Sequence, residues 1–142
     1  MIEDLTKLIE LQQKLHTEDD DEYHPIDEFL QLESLSPYYL FHVRGIYYLK
    51  LKQTENAIKD FSNCIQLKSN YAEAFYKRGV AYLAQGHYAI AVSDFSQSIA
   101  LQGPSPSQNL SAIYMNRAYV QAEHLGNLDD AISDLYQALS VK

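Results

Sequence analysis

The sequence predicts an all-α protein assembled from stacked helical hairpins, and three observations carry that prediction. One segment recurs: Phe41-His-Val-Arg-Gly-Ile-Tyr-Tyr-Leu, Phe75-Tyr-Lys-Arg-Gly-Val-Ala-Tyr-Leu and Tyr114-Met-Asn-Arg-Ala-Tyr-Val-Gln-Ala. The spacing within copies also recurs. Gly45 and Gly79 stand 34 residues apart, each followed by a small residue (Ala57, Ala91), a Phe (Phe61, Phe95) and a second small residue (Cys64, Ser98). The third copy keeps the order as Ala118, Ala131, Leu135 and Ala138, one residue longer between anchor and Ala131. Finally, each copy holds two amphipathic stretches around a short polar turn, the pattern of a helical hairpin. Such a hairpin cannot bury its apolar face alone, so neighbours stack and share a core.

The elements follow in chain order. Ile2, Leu5, Leu8, Ile9 and Leu15 fall on one side of a helix over residues 2–16. An acidic loop, Glu18–Glu22, separates it from a second helix expected over Pro25–Leu35, with proline near its start and acids in its first turn. Residues 1–36 thus read as an N-terminal helical hairpin, a degenerate repeat or a cap. Residues 37–142 then carry three repeats, about 38–71, 72–105 and 111–142, the whole forming a single domain. Ser36-Pro37 and Ser105-Pro106 place a capping hydroxyl before a proline at the first helical position, and Ser105 with Gln108 has capping-box spacing. Asn127 is placed to cap the last helix. The extra residues between the second and third copies fall in the turn Gln102–Gln108, where they leave the packed faces in register.

These spacings resemble the tetratricopeptide repeat, in which an aromatic, a small residue, Tyr, Ala, Phe and a small residue recur at set positions. Here they are Phe41, Gly45, Tyr48, Ala57, Phe61 and Cys64, then Phe75, Gly79, Tyr82, Ala91, Phe95 and Ser98. The third copy departs with Ala118 for Gly and Gln121 for Tyr, but keeps Tyr114, Ala131, Leu135 and Ala138. The resemblance covers residues 37–142 and implies a right-handed α-solenoid of antiparallel helix pairs. It also implies a concave groove lined by the first helix of each repeat. Carried over by position, the groove candidates are Tyr39, His42, Ile46 and Leu49, then Glu73, Tyr76, Lys77, Val80 and Leu83, then Met115, Asn116 and Tyr119. Val43, Ala112 and Ala122 also fall on that face. The set is apolar and rich in tyrosine, whose rigid ring and polar tip suit protein recognition.

A known use of the fold is a clamp of lysines and asparagines for the acidic C-terminal tail of a chaperone. The matching positions hold His42, Ile46, Lys77, Ala112 and Asn116. Without converging cations a carboxylate-rich tail has nothing to pair with, so that partner is not expected. Arg44, Arg78 and Arg117 recur before each anchor, with Asp60, Asp94 and Asp134 recurring three residues after each Ala. Matching repetition of both charges points to ion pairs inside each repeat.

Composition narrows the function. Nineteen acidic against eleven basic residues give a net charge of −8, which lacks the positive field needed for nucleic acid or anionic membranes. Cys64 is the only cysteine and takes a small packing position, so it reads as buried and not as a nucleophile. The histidines, His16, His24, His42, His87 and His124, show no ligand spacing, and no phosphate loop or Ser-His-Asp signal occurs. No catalysis, cofactor or metal is expected. With no secretory leader and no membrane-length apolar run, a cytoplasmic scaffold or adaptor is the expectation. Its partner would be a protein or peptide. The alternative is a structural subunit: no capping helix follows the third repeat, so that end would dock or form a homo-oligomer.

Overall fold

The computed structural model describes residues 1–17, 36–104 and 108–141. Among them are seven α-helices and no strand: α1 (Ile2–Thr17), α2 (Pro37–Lys50), α3 (Thr54–Leu67), α4 (Ala72–Ala84), α5 (Tyr88–Ala100), α6 (Leu110–Glu123) and α7 (Leu128–Ser140). The fold is an all-α helical repeat. The helix expected over Pro25–Leu35, the acidic run Glu18–Glu22, His24 and the Ser105-Pro106 start signal lie outside the described residues. Two compact units are described in turn, Met1–Ser69 and Asn70–Lys142.

In the first unit α2 and α3 form a hairpin and α1 packs on α2. Leu5 and Ile9 turn inward from α1, whereas Leu8 stays exposed. The hairpin interior holds Leu40, Phe41 and His42 from α2 against Ala57, Phe61 and Cys64 from α3. In the second unit α4 pairs with α5, α6 pairs with α7, and α5 packs on α6. Tyr76, Ala91, Phe95, Ile113 and Val120 form the core, with Val92 and Ile99 packed against it.

The small anchors decide how closely the two helices of a hairpin approach. A Cβ added to Gly45 would lie 2.7 Å from Phe61 Cε1, and one added to Gly79 would lie 2.7 Å from Phe95 Cε1. The rings of Phe61 and Phe95 therefore rest on bare glycine backbone, and both are fully buried. In the third copy Ala118 stands at the glycine position and Leu135 at the position of the ring.

Turn chemistry explains the one-residue difference between copies. Lys52, Gly86 and Gly126 occupy the left-handed region at φ 59°, 79° and 69°. Gln53 N–H donates to Tyr48 O and His87 N–H to Tyr82 O, closing the first two turns; in the third, Asn127 N–H reaches back to Gln121 O across one more residue. Helix starts are less well served than the sequence suggests. Ser36 sits at the N-cap with Pro37 in the first turn, but neither it nor Asn127 makes a side-chain cap hydrogen bond. Helix α6 begins at Leu110 after Asn109, whose amide is engaged elsewhere.

Two predictions arise from this packing. Gly79→Ala should cost about 1–3 kcal/mol in urea unfolding. Adding Phe95→Leu should recover part of that loss, giving the residue types of Ala118 and Leu135; strict additivity would contradict the contact. Burial pushes the Cys64 thiol up to about 12. A thiol reagent at pH 8 should therefore leave the native protein unmodified and label one site once urea unfolds it.

Candidate functional site

The three repeated ion pairs are the first constellation to place. In the first unit the Arg44 guanidinium grips Asp60 with both arms, Nε to Oδ2 and Nη2 to Oδ1, each at 2.7 Å. Its Nη1 also donates to Thr6 Oγ1 of α1 at 3.2 Å. In the second unit Arg78 holds Asp94 at 2.8 and 2.9 Å, and Arg117 holds Asp134 through the same two atoms. All three aspartates are buried. The hydrogen bond to the carboxylate raises each guanidinium pKa, against the opposing effect of burial. These arginines lock one helix of a hairpin to the other, as the matched charge repetition implies, and are spent there.

The groove candidates divide sharply by exposure. In the first unit Tyr39, His42, Ile46 and Leu49 line one face of α2. His42 is only 5% exposed, with its ring 5.7 Å from that of Phe61 and 6.4 Å from that of Tyr39. The other three, like Tyr48, are half-buried. In the second unit Tyr76 takes the same place as His42: it is buried, 6.0 Å from the Phe95 ring. Its hydroxyl accepts a 3.1 Å hydrogen bond from the Asn116 amide of α6. Burial, with the Glu73 charge adding to it, raises the Tyr76 pKa; the Asn116 bond opposes this. Glu73 accepts a 2.7 Å hydrogen bond from Asn109, and these two bridges join α4 to the start and middle of α6. Val80, Tyr82 and Leu83 pack onto the core, and the Lys77 ammonium lies 5.2 Å from the Tyr76 ring centre.

Two candidates stand out from that packed floor. Met115 and Tyr119, one turn apart on α6, are 55% and 53% exposed. The edge of Tyr119 meets His124, whose ring stacks on Tyr88 of α5 at 3.8 Å. The second unit therefore presents a thioether and a phenol beside the Tyr76–Asn116 bridge.

A different surface carries more apolar area, and the repeat pattern does not announce it. On α7, Leu128, Ile132, Leu135, Tyr136 and Leu139 are all exposed, Tyr136 at 71% and Leu139 at 84%. Leu135 holds the position of Phe61 and Phe95 yet is half exposed, while Ala131 and Ala138 are buried as expected. The available signal was the residue type: where α5 has Ser96, α7 has Tyr136.

Among the described residues no cluster of His, Cys, Asp or Glu could hold a metal, and no helix is long and apolar enough to cross a membrane. No curated protein matches the sequence. Two family models do: one described as TPR repeat over residues 46–86, and one described as tetratricopeptide repeat over residues 76–140. Among solved structures, the chain resembles MamA at 22% identity and TM-score 0.65, covering 80% of this chain and 63% of that one. It resembles the second TPR of Spaghetti (RPAP3), bound to the HSP90 peptide SRMEEVD, at 24% identity and TM-score 0.67, with 75% and 94% covered. The first TPR of Spaghetti, bound to the same peptide, matches at 20% identity and TM-score 0.64, with 72% and 76% covered. The chain thus spans 63% of the MamA chain and nearly all of the second Spaghetti repeat domain. With seven helices among the described residues, the repeated anchors and two matching models that together run from residue 46 to 140, the chain belongs to the tetratricopeptide repeat proteins.

Proposed function

We propose that this chain is a protein-interaction module, a scaffold or adaptor that holds a segment of another protein against the first helices of its repeats. The observation that carries this reading is the pair Met115 and Tyr119, exposed on one face of α6 beside the hydrogen-bonded Tyr76 and Asn116. A flexible thioether and a rigid phenol give apolar area with one polar tip, the chemistry of protein contact surfaces. The Spaghetti domains, which hold a peptide, lend the fold-level support. Tyr39, Ile46 and Leu49 are the matching candidates of the first unit. His42 and Tyr76 act beneath the surface, by packing on Phe61 and Phe95.

The bound segment differs from the acidic one in the Spaghetti structures. Lys77 is the only cation among the twelve groove candidates, and Glu73 adds a negative charge. Arg44, Arg78 and Arg117 are held by their own aspartates. An apolar segment suits these residues better than a carboxylate-rich tail. A second reading, docking through the last hairpin, is favoured by one specific observation, the open apolar face of α7.

The test is capture from native lysate with the wild-type chain and with a Met115→Ala/Tyr119→Ala variant, followed by mass spectrometry. Proteins held by the wild type should be lost with the variant, whose helicity and melting should be unchanged. Identical capture by both would contradict the groove reading. Titration with the free peptide SRMEEVD should show no saturable binding; tight binding would refute the exclusion of acidic tails.

A further inference from the structure

We infer that Lys77 sets the specificity of the groove: the segment held there carries one carboxylate, from an Asp or Glu, that sits on the Lys77 ammonium within an otherwise apolar sequence. The inference rests on the groove reading above and names the chemistry of the ligand.

Glu73 and Lys77 stand one turn apart on α4, acid before base, the order in which a helical ion pair closes best. Glu3 and Lys7 on α1 have the same spacing and meet at 3.3 Å. On α4 the pair stays open. Glu73 Oε1 is taken instead by the Asn109 amide at 2.7 Å, at the start of α6. Among the described residues no carboxylate pairs with the Lys77 ammonium, which lies 5.2 Å from the Tyr76 ring centre. That ring carries the hydroxyl bonded to Asn116 of α6. The next cation along, Arg78, is held by Asp94. Lys77 is therefore a half-buried cation beside the α4–α6 bridge, with its charge unspent.

Water solvates that charge while the groove is empty. A segment laid across α4 to reach Met115 and Tyr119 strips the water away, and an ammonium covered without a partner is costly. A carboxylate at that point restores both the charge balance and the hydrogen bond. A second acid gains nothing, since Tyr76, Val80, Leu83, Met115 and Tyr119 offer no further cation and Glu73 repels it. The ligand thus suited has one acid, with apolar residues on either side.

The test pans a phage-displayed library of random dodecapeptides on the full chain and measures the selected peptides by fluorescence anisotropy. Selected sequences should share one Asp or Glu flanked by apolar residues. Replacing that acid by Asn or Gln should weaken binding to the wild type about tenfold, and should change nothing with Lys77→Gln, which keeps a good helix former in place. Lys77→Glu should reverse the preference, so that a peptide with Lys in place of its acid binds more tightly than the original. Met115→Ala/Tyr119→Ala should weaken every selected peptide. Apolar sequences without a fixed acid that still need Met115 and Tyr119 would keep the groove reading and overturn this inference, with Glu73 turning to Lys77 in the complex. Peptides indifferent to Met115→Ala/Tyr119→Ala, or a library that yields no binder, would overturn both. Should a Lys77 variant melt early, the wild type decides: equal affinity for a peptide and its acid-free analogue refutes the inference.

Discussion

The rest of the structure depends on the forked ion pair between Arg44 and Asp60, Arg78 and Asp94, and Arg117 and Asp134. Each aspartate is almost wholly buried, a position a carboxylate holds only when its charge is matched and its oxygens are hydrogen-bonded. The guanidinium meets both needs at once because its two N–H groups fit the two oxygens. The guanidinium also lies over the aromatic before each anchor: Arg44 Cζ is 5.6 Å from the Phe41 ring centre, Arg78 Cζ 5.5 Å from Phe75, and Arg117 Cζ 5.6 Å from Tyr114. One side chain thus fixes the rotation of both helices. The first two hairpins then present their glycine anchors to the facing rings of Phe61 and Phe95.

Locking each hairpin from within has a consequence for function. It keeps Arg44, Arg78 and Arg117 inside the repeats, engaged with their own aspartates. Met115 and Tyr119 on α6, and Leu128, Ile132, Leu135, Tyr136 and Leu139 on α7, are the exposed apolar or aromatic residues of these two helices.

Much of this was legible in the sequence because repetition acts as an internal control. The 34-residue interval, the Gly45/Phe61 and Gly79/Phe95 pairs and the matched Arg and Asp positions identify the hairpins and their ion pairs before any coordinates. The extra residue ahead of Ala131 reappears as the longer turn at Asn127. Site residues were less legible, for a physical reason. A repeat position specifies a direction on a helix, whereas exposure depends on what the neighbouring side chains fill. His42 and Tyr76 point toward the groove face by position, yet they close over Phe61 and Phe95; Met115, at the same position, has no such ring beneath it and stays exposed. Capping was over-read for a similar reason: Ser36 and Asn127 have suitable side chains at the right places, but the local backbone gives them no cap hydrogen bond.

The most direct test of this account is a double-mutant cycle across Arg78 and Asp94, read as unfolding free energies in urea near pH 7. Arg78→Ala should cost about 3–5 kcal/mol, because it strands the buried Asp94, and Asp94→Ala should cost less, because Arg78 keeps part of its surface in water. The double variant should lose clearly less than the sum of the two, since it removes both charges together. If either single variant stayed within about 0.5 kcal/mol of the wild type, as an ordinary surface substitution does, the buried pair would not hold the hairpin together.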